Sequence, residues 1–143
     1  MDAATSERVI SFFDSYARAA ASGDAETISA AYFSPYIETA PSGVESFEID
    51  ANYRRAVEVK AEAMRHLGLV LSAAEVVATT PLAPNHLLVD VEWRLAFEPP
   101  GKTRTEKKFR ISYVVRQQNG RLKILLALSH EDEEQALKEL DLT

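Results

Sequence analysis

The sequence predicts an α+β fold: an antiparallel sheet, dry on one face and wet on the other, covered by helices that precede it. Three observations carry this reading. The first is an alternation over Leu87 to His130. Leu87, Val89, Val91, Trp93, Leu95 and Phe97 alternate with Asp90, Glu92, Arg94 and Glu98. Phe109, Ile111, Tyr113 and Val115 alternate with Lys108, Arg110, Ser112 and Arg116, and Leu122, Ile124, Leu126 and Leu128 lead on to His130. Period two over this length means strands with one buried face. The second is helical spacing upstream, which supplies a cover for that face. The third is Asn119-Gly120, the sequence signal of a tight primed hairpin turn.

The elements follow in order. Val9, Phe12, Phe13, Tyr16, Ala17 and Ala20 share one face of a helix over about Glu7 to Ser22. Thr5 or Ser6 can cap its start and Gly23 can close it. Asp24 then caps a second helix, with Ile28, Ala31 and Tyr32 as its buried edge and Pro35 as its end. Tyr36 to Ala40 reads as a short strand, Tyr36 and Glu38 on one face, Ile37 and Thr39 on the other. Gly43 to Asp50 reads as an irregular loop carrying Val44, Phe47 and Ile49. A third helix spans about Ala51 to Leu67, with Tyr53, Val57, Ala61, Met64 and Leu67 as its stripe and Gly68 as its stop. Leu69 to Thr80 is a strand, and Pro81 and Pro84 mark a loop. Pro99-Pro100-Gly101 demands a wide turn. Ser129-His130-Glu131-Asp132 resembles a capping box for a short acidic helix held by Ala136, Leu137 and Leu140.

Length and composition bound the function. With 143 residues, 46% hydrophobic and 27% charged, the chain fits a single globular domain, expected over 1–143. It has no cysteine, which excludes disulfides, thiolate metal sites and a cysteine nucleophile. The net charge of −6 is concentrated: Glu131, Asp132, Glu133, Glu134, Glu139 and Asp141 against Lys138 leave the rest of the chain near neutral. No basic stripe remains for nucleic acid. No apolar run approaches the roughly 18 residues of a membrane span. No basic flank precedes an apolar core at the N-terminus, so the expectation is a cytoplasmic protein without a signal peptide.

Four local features in sequence order resemble the nuclear transport factor 2-like superfamily, also called the SnoaL-like or cystatin-like α+β cone. They are Phe12-Phe13-Asp14-Ser15-Tyr16-Ala17 with Gly23-Asp24, Tyr32-Phe33-Ser34-Pro35, Asp90-Val91-Glu92-Trp93, and Tyr113-Val114-Val115-Arg116 through Asn119-Gly120 to Ser129-His130. The resemblance implies a cone-shaped α+β barrel, its curved antiparallel sheet wrapped around N-terminal helices and helix three in particular, with a pocket at the open end. It also implies a homodimer formed through the outer sheet face. The superfamily holds ketosteroid isomerase, scytalone dehydratase, limonene epoxide hydrolase and polyketide cyclases, and many non-catalytic modules.

The superfamily's enzymes carry carboxylates or His inside the cone, and the long strands here offer only Trp93 and Tyr113 on that face. Asp90, Glu92 and Arg94 face Glu106, Lys108 and Arg110 on the opposite face, which reads as a cross-strand charge ladder. His130 shares parity with Leu122 to Leu128, so it is expected inside, as a candidate general base. Glu38 beside Tyr36 is the second catalytic candidate. Tyr16, Tyr32, Tyr36, Tyr53, Trp93 and Tyr113 are the candidate ligand-binding residues, because a buried phenol or indole needs a polar partner. Arg54, Arg55 and Arg65 read as solvated. No metal site is expected, since His66, His86 and His130 lack metal-ligand spacing, and no cofactor is expected. Three readings stand: a pocket protein binding a small hydrophobic molecule; an isomerase, dehydratase or cyclase using His130; and a dimerisation module whose cavity is filled by its own side chains.

Overall fold

A computed structural model describes residues 1–140; Asp141, counted with the acidic tail, lies outside them. The order is α1 (Ala3–Ser22), α2 (Ala25–Ala30), β1 (Tyr32–Ala40), β2 (Gly43–Phe47), α3 (Ala51–His66), β3 (Leu69–Ala83), β4 (His86–Phe97), β5 (Thr105–Gln118), β6 (Arg121–Ser129) and α4 (Glu133–Lys138). One curved, unclosed sheet takes the order β2-β1-β6-β5-β4-β3. All neighbours are antiparallel except β1 and β6, which run parallel.

The cap of α1 is Asp2 rather than Thr5 or Ser6: its carboxylate accepts the Thr5 amide at 2.7 Å, so the helix begins earlier than predicted. Val9 and Phe13 are completely buried and Ala17 nearly so. Fully burying a side chain of this size contributes about 1.5–3 kcal/mol. On α3 only Ala61 is buried, while Tyr53, Val57 and Met64 are half-buried and Arg54, Arg55 and Arg65 are exposed. The sheet therefore curls over α1 more than over α3, contrary to the implied wrapping around helix three. The apolar stripe of α3 is narrow and broken by Arg, Glu and Lys, so the helix lies at the margin.

Helix α2 is capped by Asp24 as predicted but ends at Ala30, not at Pro35. The Ala31 carbonyl accepts the Ile124 amide and Tyr32 pairs with Ile124, so the sheet captures the chain early. Pro35 lies inside β1, where the register against β6 shifts between Tyr32 and Ile37. A residue without an N–H is tolerated at such an irregularity. The predicted loop over Gly43 to Asp50 is instead strand β2 followed by a short link, with Tyr36 opposite Phe47 and Glu38 opposite Glu45. Strand β3 continues past Pro81, which an edge strand allows.

Strands β4 and β5 pair without interruption from His86↔Arg116 to Phe97↔Thr105. Asn119 and Gly120 have φ of 54° and 74°, the double left-handed turn predicted. The outer charge ladder forms, with Arg94 at 3.8 Å from Glu106 and Lys108 at 3.9 Å from Glu92. Both pairs are solvated, and each contributes under about 1 kcal/mol.

Strand β6 departs from the prediction at one residue. Val115 pairs with Ile124 but Val114 pairs with Leu126, so Leu125 is an extra residue. A bulge of this kind exchanges the two faces beyond it. Leu122 and Ile124 are buried, then Ala127 is buried and Leu128 exposed. His130 therefore lies on the outer face, not inside the cone.

Candidate functional site

Strand β1 presents alternate residues inward, so Tyr32, Tyr36 and Glu38 lie on its inner side while Ile37 is exposed. The first turn of α3 brings Tyr53 over them, positioned by Asp50, whose carboxylate accepts the Tyr53 amide. Phe47 arrives from β2 and Tyr16 from α1. The rings form a continuous file. Phe47 stacks on Tyr36 with centroids 5.4 Å apart, Tyr36 on Tyr32 at 3.9 Å, and Tyr32 meets Tyr16 edge-on at 5.9 Å. Tyr16 meets Trp93 at 5.7 Å, and Trp93 stacks on Phe109 at 6.4 Å. Phe13 joins Tyr113 at 4.9 Å.

The polar atoms of these rings satisfy one another. Trp93 Nε1 donates to the Tyr113 hydroxyl at 3.0 Å. The Tyr16 and Tyr32 hydroxyls share a hydrogen bond of 2.5 Å. Tyr36 donates its proton to the Glu38 carboxylate, and its oxygen lies 3.1 Å from the Tyr53 hydroxyl. Tyr36 has one proton and gives it to Glu38, so Tyr53 is the donor in the second bond. Beyond this chain the Tyr53 oxygen and the second Glu38 oxygen remain as acceptors. Burial pushes the Tyr53 phenol up to about 12, aided by the nearby charge of Glu38. Burial also raises Tyr16, Tyr32, Tyr36 and Tyr113 above the ordinary tyrosine value, and the hydrogen bond to Glu38 raises Tyr36 further. All five phenols therefore stay protonated at neutral pH.

The structure thus brings together Tyr16, Tyr32, Tyr36, Glu38, Tyr53, Trp93 and Tyr113, all seven predicted from the sequence. Tyr36 and Tyr113 are 1% and 2% exposed. Accessible surface includes the wall of any cavity that admits water, so no water-sized space opens beside those two rings. Tyr16, Tyr53 and Phe47 keep partial exposure and Glu38 is exposed, so the cluster is accessible at two places, its Glu38–Tyr53–Phe47 end and Tyr16.

His130 is not part of it. Its Nε2 lies 2.8 Å from Ser112 Oγ, and Ser112 donates to Asp90 at 2.6 Å. Ser112 alternates with inward-facing Tyr113, so this Asp90–Ser112–His130 chain sits on the outer side of the sheet. The predicted capping box is also absent: Asp132 occupies the N-cap of α4 without bonding its helix. Its carboxylate instead accepts from the Ser42 amide at 3.2 Å and the Ser42 hydroxyl at 2.6 Å.

Sequence reasoning places Phe47 in an apolar loop and not with the site, because β2 is too short for its alternation to stand out. It also missed the ion pair of Glu133 with Lys60 of α3 at 3.1 Å; nothing in an acidic terminal run marks which carboxylate folds back. An open groove of about 650 Å³ lies apart from Glu38, bounded by α1, α2 and the β5–β6 turn, with Phe12, Tyr16 and Leu122 in its wall.

No family model matches the chain, and no curated protein matches it. Solved structures do. A nuclear transport factor 2-like protein of unknown function from Shewanella oneidensis superposes with a TM-score of 0.67 at 12% identity, covering 89% of this chain and 99% of that one. A nuclear transport factor 2-like protein from Cytophaga hutchinsonii gives 0.62 at 14% identity, covering 92% and 100%. A domain of unknown function with a cystatin-like fold from Nostoc punctiforme gives 0.68 at 17% identity, covering 99% and 86%. At such identities the agreement concerns the fold and not the activity. The fold of this chain is that of the nuclear transport factor 2-like, cystatin-like proteins.

Proposed function

We propose that this chain binds a small, largely apolar molecule carrying one hydrogen-bond donor, such as an alcohol or amine, at the Glu38–Tyr53–Phe47 end of the cone. The observation that carries the reading is the direction of the hydrogen bonds. Tyr53 donates to Tyr36 and Tyr36 to Glu38, so the Glu38 and Tyr53 oxygens are left as acceptors beside stacked rings. A donor-bearing ligand completes both acceptors, whereas an anion meets repulsion from Glu38. The arrangement favours binding over chemistry, because His130, the base expected from the sequence, faces away.

Calorimetric titration with 2-naphthol and with 2-methoxynaphthalene tests this. The two share an apolar body and differ in the donor. The expected result is binding of 2-naphthol at least about ten-fold tighter, with the preference lost in Glu38→Gln/Tyr53→Phe. Equal affinity for the two compounds, or binding of neither, sinks the reading.

A second observation favours homodimer formation through the outer sheet face. Ile37, Leu126, Val114 and Leu88 pair across β1, β6, β5 and β4 and form an apolar row on that face. Ile37 is 41% exposed and neighbouring Leu128 is 42% exposed. An apolar row flanked by charges suits a self-complementary interface. Sedimentation equilibrium is expected to give a dimer at micromolar concentration and a monomer for Ile37→Glu. A wild-type monomer at that concentration removes this reading and leaves the first intact.

A further inference from the structure

The groove of about 650 Å³ between α1, α2 and the β5–β6 turn is the second place where the tyrosine cluster reaches the surface, through Tyr16. Its volume falls in the range of small-molecule sites, roughly 300–1,000 Å³. Arg8, Phe12 and Tyr16 follow one another at intervals of four along α1, so they share one stripe of that helix. All three line the groove. Eight residues of helix span about 12 Å. Phe12 and Tyr16 are half-buried: they pack on the core and still face this space. Leu122 of β6 and Ala30 and Ala31 at the end of α2 continue the apolar wall.

Arg8 ends the stripe with a fixed charge. Its Nη2 donates to Thr5 Oγ1 at 3.2 Å and to Gln117 Oε1 at 3.0 Å. Gln117 is itself held in the sheet, opposite Leu122. A guanidinium has five N–H donors, and those on Nε and Nη1 meet no acceptor among the described residues. No carboxylate forms an ion pair with it there. Asp2 attracts it at longer range, with its own carboxylate engaged by the Thr5 amide. Glu7 also lines the groove, on the neighbouring stripe with Ser11. It is exposed, and no hydrogen bond or ion pair fixes it among the described residues, so it can turn into water while Arg8 stays in place.

We infer that this groove is a second binding site, for an amphipathic carboxylate whose acid group pairs with Arg8 and whose flat apolar body lies over Phe12 and Tyr16. The planar guanidinium matches a carboxylate with two parallel donors, and a cation already held in position loses little freedom on binding. The stripe admits a body up to about 12 Å long. The chemistry is opposite to that of the Glu38 end, where a carboxylate repels anions. Tyr16 joins the two, since its hydroxyl bonds that of Tyr32, which stacks on Tyr36. The groove stands on its own residues and does not depend on the reading of the Glu38 end.

Calorimetric titration with 2-naphthoate and with naphthalene-2-carboxamide, which shares the body and lacks the charge, tests the site. The carboxylate is expected to bind at least about ten-fold tighter. Arg8→Gln should remove that preference, and Glu7→Gln should increase it by lifting the opposing charge. Both positions are exposed on α1, so both variants should melt within a few degrees of the wild type. Amide shifts in nuclear magnetic resonance spectra give the location: 2-naphthoate should move residues 8–16, 27–31 and 120–122, and leave residues 36–38, 47 and 53 unmoved. Equal affinity for the two compounds, binding of neither, or a preference retained in Arg8→Gln overturns the inference. Shifts confined to residues 36–38, 47 and 53 overturn it as well, by placing the carboxylate at the other end. Titration with 2-naphthol tests the Glu38 end separately, and Arg8→Gln should leave its affinity unchanged.

Discussion

Replacing Gly68 with alanine tests the joint between α3 and the sheet. Gly68 sits at φ +93°, and a Cβ built there lies 2.8 Å from the Glu98 carbonyl carbon and oxygen and from Pro99 N. These are backbone atoms and cannot swing aside. The Gly68 carbonyl also accepts the Glu98 amide at 2.7 Å, so any shift that relieves the clash stretches that bond. Adjacent Phe97 is completely buried, and moving residue 98 disturbs its packing. The left-handed backbone alone costs a side chain about 1 kcal/mol. A lost backbone bond adds about 1 kcal/mol and the displaced segment a similar amount, for a total of about 3 kcal/mol. Gly120→Ala is the control. Its φ is +74° but nothing lies within 4 Å of the added Cβ, so only the cost of about 1 kcal/mol for the backbone conformation applies. Urea denaturation should show the two variants separated by about 2 kcal/mol with unchanged m-values. In thermal melts the losses are about 10 °C and 3 °C. Equal losses for the two variants refute the close-approach argument.

Three further outcomes follow from the same geometry. Tyr113→Phe leaves the buried Trp93 indole N–H without its acceptor and is expected to cost about 1–3 kcal/mol in urea unfolding; a loss under about 0.5 kcal/mol contradicts the pairing. Asp2→Ala removes the α1 cap at a cost of about 1 kcal/mol, while Ser6→Ala stays within about 0.5 kcal/mol, and the reverse order would return the cap to the position predicted from sequence. All five tyrosines are raised in the folded state, so stability is flat below the unfolded tyrosine value near 10 and falls as pH climbs through the Tyr53 value of about 12. Absorbance at 295 nm should then show no phenolate step near pH 10, and such a step in the native protein would be inconsistent with the buried hydroxyl network.

The strands and helices were readable wherever one face is apolar and the other is not. Trp93 and Tyr113 alternate with charged or polar residues, and their inward placement followed directly. His130 was misplaced because Ile124-Leu125-Leu126-Ala127-Leu128 is apolar at both parities. A run that suits either face carries no mark of the residue where the register slips. Tyr32 was read as helical because its ring suits a helix edge as well as a strand, and only pairing with Ile124 decides between them. The members of the tyrosine cluster were identifiable as buried phenols. Apart from the Tyr36–Glu38 pair on one face of β1, their mutual bonds were not, because those depend on α1, β1 and α3 converging at distances that spacing along the chain does not encode. The charge ladder on β4 and β5 was legible for the opposite reason: pairing there is uninterrupted, so the charges stay on one face, where Arg94 and Lys108, opposite each other in register, pair diagonally with Glu106 and Glu92.

The parallel pairing of β1 with β6 has a consequence for how the molecule is made. Among the described strands β1 leaves the ribosome first and β6 last. Until β6 is complete, the β1–β2 hairpin has no edge to join and the inner faces of β4 and β5 stay open along one side. Contacts between such distant segments carry a large loop-closure cost and slow folding. A nascent or truncated chain ending before Arg121 would leave the β5 edge unpaired and the core without Leu122, Ile124 and Ala127, a surface prone to association. The last strand therefore decides whether the earlier ones are a domain or an aggregate.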